Sequence, residues 1–266
     1  MGKLHADYCV AFIDILGFKS MTDTREKLEK NAEIINDALD LMKKYRPEDK
    51  YGKLIGKTEI IQLQVSDSLV FVFPKDFCNT LVVFAWISTL QFSLAQKGIY
   101  IRGSINSGAM YIDKDNDRYF GEAWDKAVLA EGRVVTPRIL IEPSVAAVVQ
   151  EALNKINEGV LEFFLDQDGE IVLTSYTPLV VMSNLKPANR ENLLQAYAEL
   201  FKNMSDQIEN ARDNPYLLQK YLWITRHIIE PYERDEVIIN LVQDTEEVII
   251  RYLTKEIALD RVPQKK

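Results

Sequence analysis

Residues 8–16, Tyr-Cys-Val-Ala-Phe-Ile-Asp-Ile-Leu, form an almost unbroken apolar run that one carboxylate, Asp14, interrupts before Gly17 ends it. A short run rich in strand formers predicts a β-strand buried on both faces. Over residues 25–45, Leu28, Ile34, Ile35, Ala38, Leu41 and Met42 recur at helical spacing, with Pro47 as the stop. Glu59 to Val65 and Leu69 to Phe73 are two strand-like runs separated by Ser66-Asp67-Ser68, which predicts a tight hairpin with Asp67 at its tip. Residues 77–96 read as a largely apolar helix closed by Gly98. Ile99 to Asn106 alternates as a strand that Ala109 to Ile112 continues after Gly108, and Lys114 to Arg118 is a charged turn.

Glu122 to Glu131 is helical in pattern, Arg138 to Ile141 is a short strand, and Ser144 to Leu153 is a helix led by Pro143. Leu161 to Leu165 and Ile171 to Ser175 flank Asp-Gln-Asp-Gly, the turn of a second hairpin. Beyond Pro187 the pattern becomes helical alone, with stretches at 188–212, 216–230 and 235–254 separated by Asn214-Pro215 and Pro231. Mixed elements followed by helices predict an α+β domain with a helical C-terminal extension, divided here as 1–183 and 184–266. The apolar stripes of those last helices are expected to cover a sheet face or a partner subunit.

The chain has 266 residues, 32 Lys plus Arg and 40 Asp plus Glu, a formal charge of −8. That balance disfavours a grip on nucleic acid, which needs a basic face. Cys9, Cys78, His5 and His227 cannot assemble a zinc-type ligand set at sensible spacing, so a bound metal is expected to be held by oxygen. The start lacks the apolar stretch of a signal peptide, and no run approaches 18 apolar residues, so the expectation is a cytoplasmic protein with no membrane span. Trp86, Trp124 and Trp223 are expected to be packing residues, and His227 a packed or surface histidine.

The informative pair is Asp14 at the end of the first strand and Asp67 at the hairpin tip. If that strand lies beside the hairpin, the two carboxylates converge, and with a backbone carbonyl such as that of Ile15 they suit Mg²⁺ or Mn²⁺ together with substrate phosphates. Asp14 capping the following turn and Asp67 filling a turn position account for the same spacing. Spacing alone leaves both readings open.

Four motifs in order narrow them. Phe12-Ile13-Asp14-Ile15-Leu16-Gly17-Phe18, then Ser66-Asp67-Ser68, then Ile101-Arg102-Gly103-Ser104-Ile105-Asn106-Ser107-Gly108, then Phe120-Gly121-Glu122-Ala123 resemble the class III nucleotide cyclase catalytic domain over about residues 7–180. With Glu-Gly-Arg-Val-Val-Thr-Pro-Arg-Ile after the helix and Lys-Tyr-Leu-Trp-Ile near residue 223, the chain is more specifically similar to the Pycsar pyrimidine cyclases, bacterial anti-phage enzymes that make cyclic UMP or cyclic CMP. The resemblance implies a ferredoxin-like βαββαβ core and cyclisation of UTP or CTP with release of pyrophosphate. It implies two divalent ions, Mn²⁺ or Mg²⁺, on Asp14, Asp67 and the Ile15 carbonyl, and a homodimer with sites at its interface. A separate cyclic-nucleotide-responsive effector follows from the same resemblance. The strand-to-helix turn from Ile15 through Gly17 to Phe18 would offer backbone N–H groups to the phosphates.

The departures from that family are specific. Its Asn and Arg on the helix after Phe-Gly correspond here to Asp125 and Leu129, and its purine-reading positions to Leu63 and Arg118. Asp125 cannot serve as a cation, so developing phosphate charge needs another base: Arg102, Arg118, Arg133 or Arg138. Arg102 also suits a pyrimidine, because a guanidinium donates to uracil O2 and O4 or cytosine O2; a strand arginine in an ion pair is the alternative.

Overall fold

The computed structural model describes residues 2–44, 59–156, 163–173, 199–200 and 202–232. The chain divides into two compact units, one of Met1–Leu94 with Ile99–Ser175 and one of Ala95–Gly98 with Tyr176–Lys266. The boundary expected at 183/184 falls outside the described residues.

The first unit is built on one sheet. Strand β1 (Lys3–Ile15) is followed by the short α1 (Phe18–Thr22) and α2 (Arg25–Lys44), then the hairpin β2 (Ile61–Val65) and β3 (Ser68–Pro74), α3 (Phe77–Ala95) and β4 (Ile101–Asp113). The order β2-β3-β1-β4, antiparallel throughout, with helices in the crossovers from β1 to β2 and from β3 to β4, is the expected ferredoxin-like core. Beyond it come β5 (Arg118–Gly121), α4 (Glu122–Glu131), β6 (Ile139–Ile141), α5 (Pro143–Ile156), β7 (Phe163–Leu165) and β8 (Ile171–Leu173). Strand β6 adds to β4 in parallel, β8 and β7 extend that edge, and β5 folds back on the far end of β4.

The pleat sorts side chains by parity. Cys9, Ala11, Ile13 and Ile15 of β1, with Leu69, Phe71 and Phe73 of β3 and Ile101 and Ile105 of β4, point to one face, where residues of α2, α3 and α5 complete a large core. Phe71 meets the fully buried Trp86 edge-on, with centroids 4.2 Å apart. Val10, Val70, Val72, Met110 and Ile112 point to the other face, covered by Ala123 and Ala127 of α4, with Phe12, Leu63 and Trp124 only partly buried.

Several boundaries differ from the sequence expectation. Strand β1 starts at Lys3, because pairing with β4 extends it through largely polar, exposed residues, across a register shift between His5 and Tyr8. Gly108 does not break β4, since it pairs with Tyr8 inside a continuous strand. Residues 118–121 form a strand rather than a lead-in to the helix, and Phe120 stacks on Tyr111 with centroids 4.8 Å apart.

Helix α3 is long and apolar enough by length and composition to cross a membrane, although it contains no unbroken run of 18 apolar residues. Asn79, Thr80, Ser88, Thr89, Gln91 and Ser93 interrupt the run without lowering its mean enough to matter. Here Val83, Phe84, Trp86, Ile87, Leu90 and Leu94 are buried in the core of the sheet.

In the second unit residues 202–210 are helical and a further helix spans Pro215–Tyr232. That helix opens on Pro215, where a missing N–H costs nothing, and its last turn runs past Pro231 instead of stopping before it. The stretch expected at 235–254 lies outside the described residues.

Gly103 on β4 lies close against β1: a Cβ there would sit 2.3 Å from the Phe12 carbonyl oxygen and 3.1 Å from Ile13 Cα. Neither is a flexible side-chain end that can swing aside. Gly103→Ala is therefore expected to destabilise the protein by about 1–3 kcal/mol, as overpacking does. Urea unfolding measures this, and an unchanged midpoint would count against the close approach.

Candidate functional site

The two faces created by the pleat are unequal in polarity at one end of β1. Asp14 has the parity of Val10 and Phe12, so it points to the α4 face, beyond the reach of that face's apolar cover. The β2–β3 turn is two residues long, with Val65 paired to Ser68, and Ser66 takes a left-handed conformation (φ 57°). Because β3 is the direct neighbour of β1, this turn delivers Asp67 to Asp14, close enough for a proton on one carboxyl to be shared with the other. Ser68 Oγ also approaches Asp14 Oδ1 at 3.3 Å.

On the other side of β1, Arg102 is the register partner of Asp14. Its Nη2 donates to Asp14 Oδ2 at 3.3 Å, and its Nη1 donates to the Val134 carbonyl at 2.6 Å. Nη2 also lies 2.8 Å from Glu131 Oε1, a charge contact off the hydrogen-bonding direction. These groups are mostly shielded: the side chains of Asp14, Arg102 and Glu131 are 17%, 24% and 10% exposed.

Burial, the hydrogen bond that a protonated Asp14 donates to Asp67, the charge of Asp67 and the charge of Glu131 raise the Asp14 carboxyl to about 7, against the opposing pull of Arg102. Burial is also the main reason the Glu131 carboxyl lies above its ordinary range.

Glu131 was not singled out from the sequence. It continues the stripe Ala123, Ala127 at four-residue spacing, the buried side of α4, and a charged residue on such a stripe is the signal that finds it.

The remaining candidates are spread out. Gly17 adopts φ 84° at the start of α1, the left-handed region open to glycine, and turns the chain sharply after β1. Ser20 Oγ donates to its carbonyl at 2.7 Å. Phe18 packs at the edge of the large core, and Ile15 is buried with its backbone beside Asp14. Leu63 lies on the α4 face, its strand neighbour Val70 being the register partner of Phe12.

Asp125 is exposed on α4, and Leu129 is 71% exposed one turn later. Arg118 is exposed and pairs with Asp113 at the opposite end of β4 from Arg102, about 35 Å away along the strand. Arg133 is exposed after α4. Arg138 is committed to the β7–β8 turn, donating to Asp166 and Asp168 at 2.5 Å each, which removes it as a free counter-charge at the site.

A hard divalent cation fits the pair. Two carboxylates side by side, where β1 ends beside the exposed β2–β3 turn, match the way Mg²⁺ and Mn²⁺ are held by one or two carboxylates with water and phosphate completing the shell. Among the described residues no group of three or more His, Cys, Asp or Glu forms a cage of its own.

Comparison with family models and with curated proteins gives no match. Among solved structures, the chain is similar to the catalytic core of a rhodopsin-guanylyl cyclase with converted specificity in complex with ATPalphaS, at 13% identity and a TM-score of 0.41 over 65% of this chain and 95% of that one. It is also similar to an adenylate/guanylate cyclase/hydrolase from Silicibacter pomeroyi, at 14% identity and a TM-score of 0.44 over 65% and 96%.

The Asp14 carboxyl is raised in the fold above the ordinary value of 3.8, so between about pH 4 and 7 the native state holds more protons than the unfolded chain. Stability must fall as pH rises through that window. In chelator the melting temperature is expected to drop by several degrees from pH 5 to pH 8, and Asp14→Asn to flatten the drop. Thermal unfolding at both pH values checks this; an equal slope in Asp14→Asn would show that another group is responsible.

Proposed function

We propose that the protein is a nucleotide cyclase acting on a pyrimidine nucleoside triphosphate, converting UTP to 3′,5′-cyclic UMP and pyrophosphate. The observation that carries this reading is the contact between Asp14 and Asp67, at the position in a ferredoxin-like sheet where the sequence motifs put a pair of metal carboxylates. The positions that read a purine in the resembled family are Leu63 and Arg118 here and do not match it, which supports a substrate other than a purine nucleotide. The loss of its Asn and Arg, where Asp125 and Leu129 stand, instead favours the alternative of a cyclase-fold module that binds a nucleotide without turnover. CTP is the second substrate in this reading, because uracil and cytosine share the O2 acceptor and differ at N3 and position 4.

In the reaction the ribose 3′-oxygen attacks the α-phosphorus in line as the bond to pyrophosphate breaks. Asp14, Asp67 and the Ile15 carbonyl would hold two divalent ions, Mn²⁺ or Mg²⁺, which supply positive charge to the triphosphate and to the attacking oxygen. Arg102, fixed beside Asp14, serves the phosphate end of the site, not the base. The backbone from Gly17 to Phe18, which follows Asp14 closely in the chain, would offer N–H donors to the phosphates.

The base-reading positions must then come from elsewhere. Arg118 lies too far along β4 to reach Asp14 of its own chain, which supports a homodimer in which each site combines groups of two copies. The partly covered α4 face, with Phe12, Leu63 and Trp124 half-buried and Leu129 exposed, is the surface such a partner would cover. In this reading the enzyme is cytoplasmic and its product is a second messenger in anti-phage defence, read by a separate effector.

Purified protein incubated with each of the four NTPs and Mn²⁺ is expected to yield cyclic UMP from UTP, with Asp14→Ala and Asp67→Ala each at least about a hundredfold slower. Cyclic product from ATP or GTP alone would move the assignment to a purine cyclase, and none from any NTP would overturn it. Mixing Asp14→Ala with Arg118→Ala is expected to restore about a quarter of wild-type turnover, since half the dimers are mixed and one of their two sites is intact. No recovery, from two variants that still dimerise, would remove Arg118 from the shared site.

A further inference from the structure

The Arg102 guanidinium sits between two carboxylates and satisfies neither fully. Its contact with Asp14 is long, at 3.3 Å, while the closer approach to Glu131, at 2.8 Å, is off the hydrogen-bonding direction. Two buried atoms are left without hydrogen-bond partners as a result, Arg102 Nε and Glu131 Oε1. Those are the atoms that a small rotation of the guanidinium toward Glu131 would bring into a forked pairing, the arrangement arginine and carboxylate favour. The remaining arm is fixed, because Nη1 donates to Val134 O in the turn that follows α4. Arg102 therefore has a pivot and two carboxylates to choose between.

The charge balance says when it would turn. With no cation, Arg102 is the counter-charge nearest the Asp14–Asp67 pair. A divalent ion on Asp14 would place like charges a few ångströms apart in a shielded site, where water screens their repulsion poorly. Arg102 must leave Asp14, and a guanidinium released without a partner would be lost to the site.

We propose that Glu131 is a positioning residue that takes the Arg102 guanidinium from Asp14 when a divalent cation is bound, keeping that charge at the phosphate end of the site. The inference rests on the reading of Asp14 and Asp67 as the cation ligands.

The test is Mn²⁺ affinity, read from the electron paramagnetic resonance of free Mn²⁺ in titrations of the full chain without nucleotide. Glu131→Gln is expected to weaken Mn²⁺ binding about tenfold, as loss of an outer-shell partner does. Arg102→Gln is expected to tighten it several-fold, because the competing cation is gone. In the Arg102→Gln background, Glu131→Gln is expected to have little further effect, since Glu131 acts through Arg102. An unchanged affinity in Glu131→Gln, or the same weakening in both backgrounds, overturns the proposal: in the second case Glu131 acts by its own charge.

Should Glu131→Gln fail to fold, Arg102→Gln decides alone, and affinity equal to or below wild type overturns the proposal. Asp14→Asn and Asp67→Asn separate the two levels. If both leave Mn²⁺ binding intact, the cation reading itself fails and this proposal with it. If both abolish binding while Glu131→Gln changes nothing, only the positioning role is lost.

Discussion

The parity of β1 decides most of this molecule. The strand is paired on both sides, to β3 and to β4, so its residues cannot shift register without moving both neighbours. Odd positions enter the large core beneath three helices, and even positions face α4. Asp14 is the even position at which the apolar series stops. Had the carboxylate stood one residue earlier or later, it would have been driven into the core with Ile13 and Ile15, where an unpaired charge is very costly.

The same parity explains why the polar residues of β4 lie where they do. Arg102 and Ser104 share the α4 face, and both are tied to that helix or the turn after it. Ser104 Oγ donates to the Ala127 carbonyl at 2.7 Å, and Arg102 Nη1 donates to Val134 O. Gly103, between them, faces the other way, where a side chain would meet the β1 backbone. The motif Ile101-Arg102-Gly103-Ser104 thus alternates core, site, close approach and helix clamp, each residue type following from the face it meets.

The fold and the central pair were largely legible because both are written in local pattern. Short apolar runs, and alternation in β4, marked the strands of the core, and a short polar break between two such runs marked the turn that carries Asp67. What pattern could not supply were the features set by distant pairing. The polar first half of β1 is a strand only because β4 lies beside it, and residues 118–121 are a strand only because the far end of β4 offers them an edge. Glu131 was missed for a related reason: one acidic residue among many acquires meaning only when Arg102, from a different element, is found against it. Arg138 was a candidate on type alone until its commitment to Asp166 and Asp168 was visible.

The two-residue β2–β3 turn carries a consequence for how the chain matures. Strand β1 leaves the ribosome well before both of its neighbours, and the turn that brings Asp67 reaches Asp14 only once β3 has docked. Pairings of such long sequence separation form late and slowly. In a chain whose hairpin has not yet docked, the two carboxylates are therefore apart. The pair is assembled when β3 docks on β1, so Asp14 acquires its carboxylate neighbour only as the core of the sheet closes.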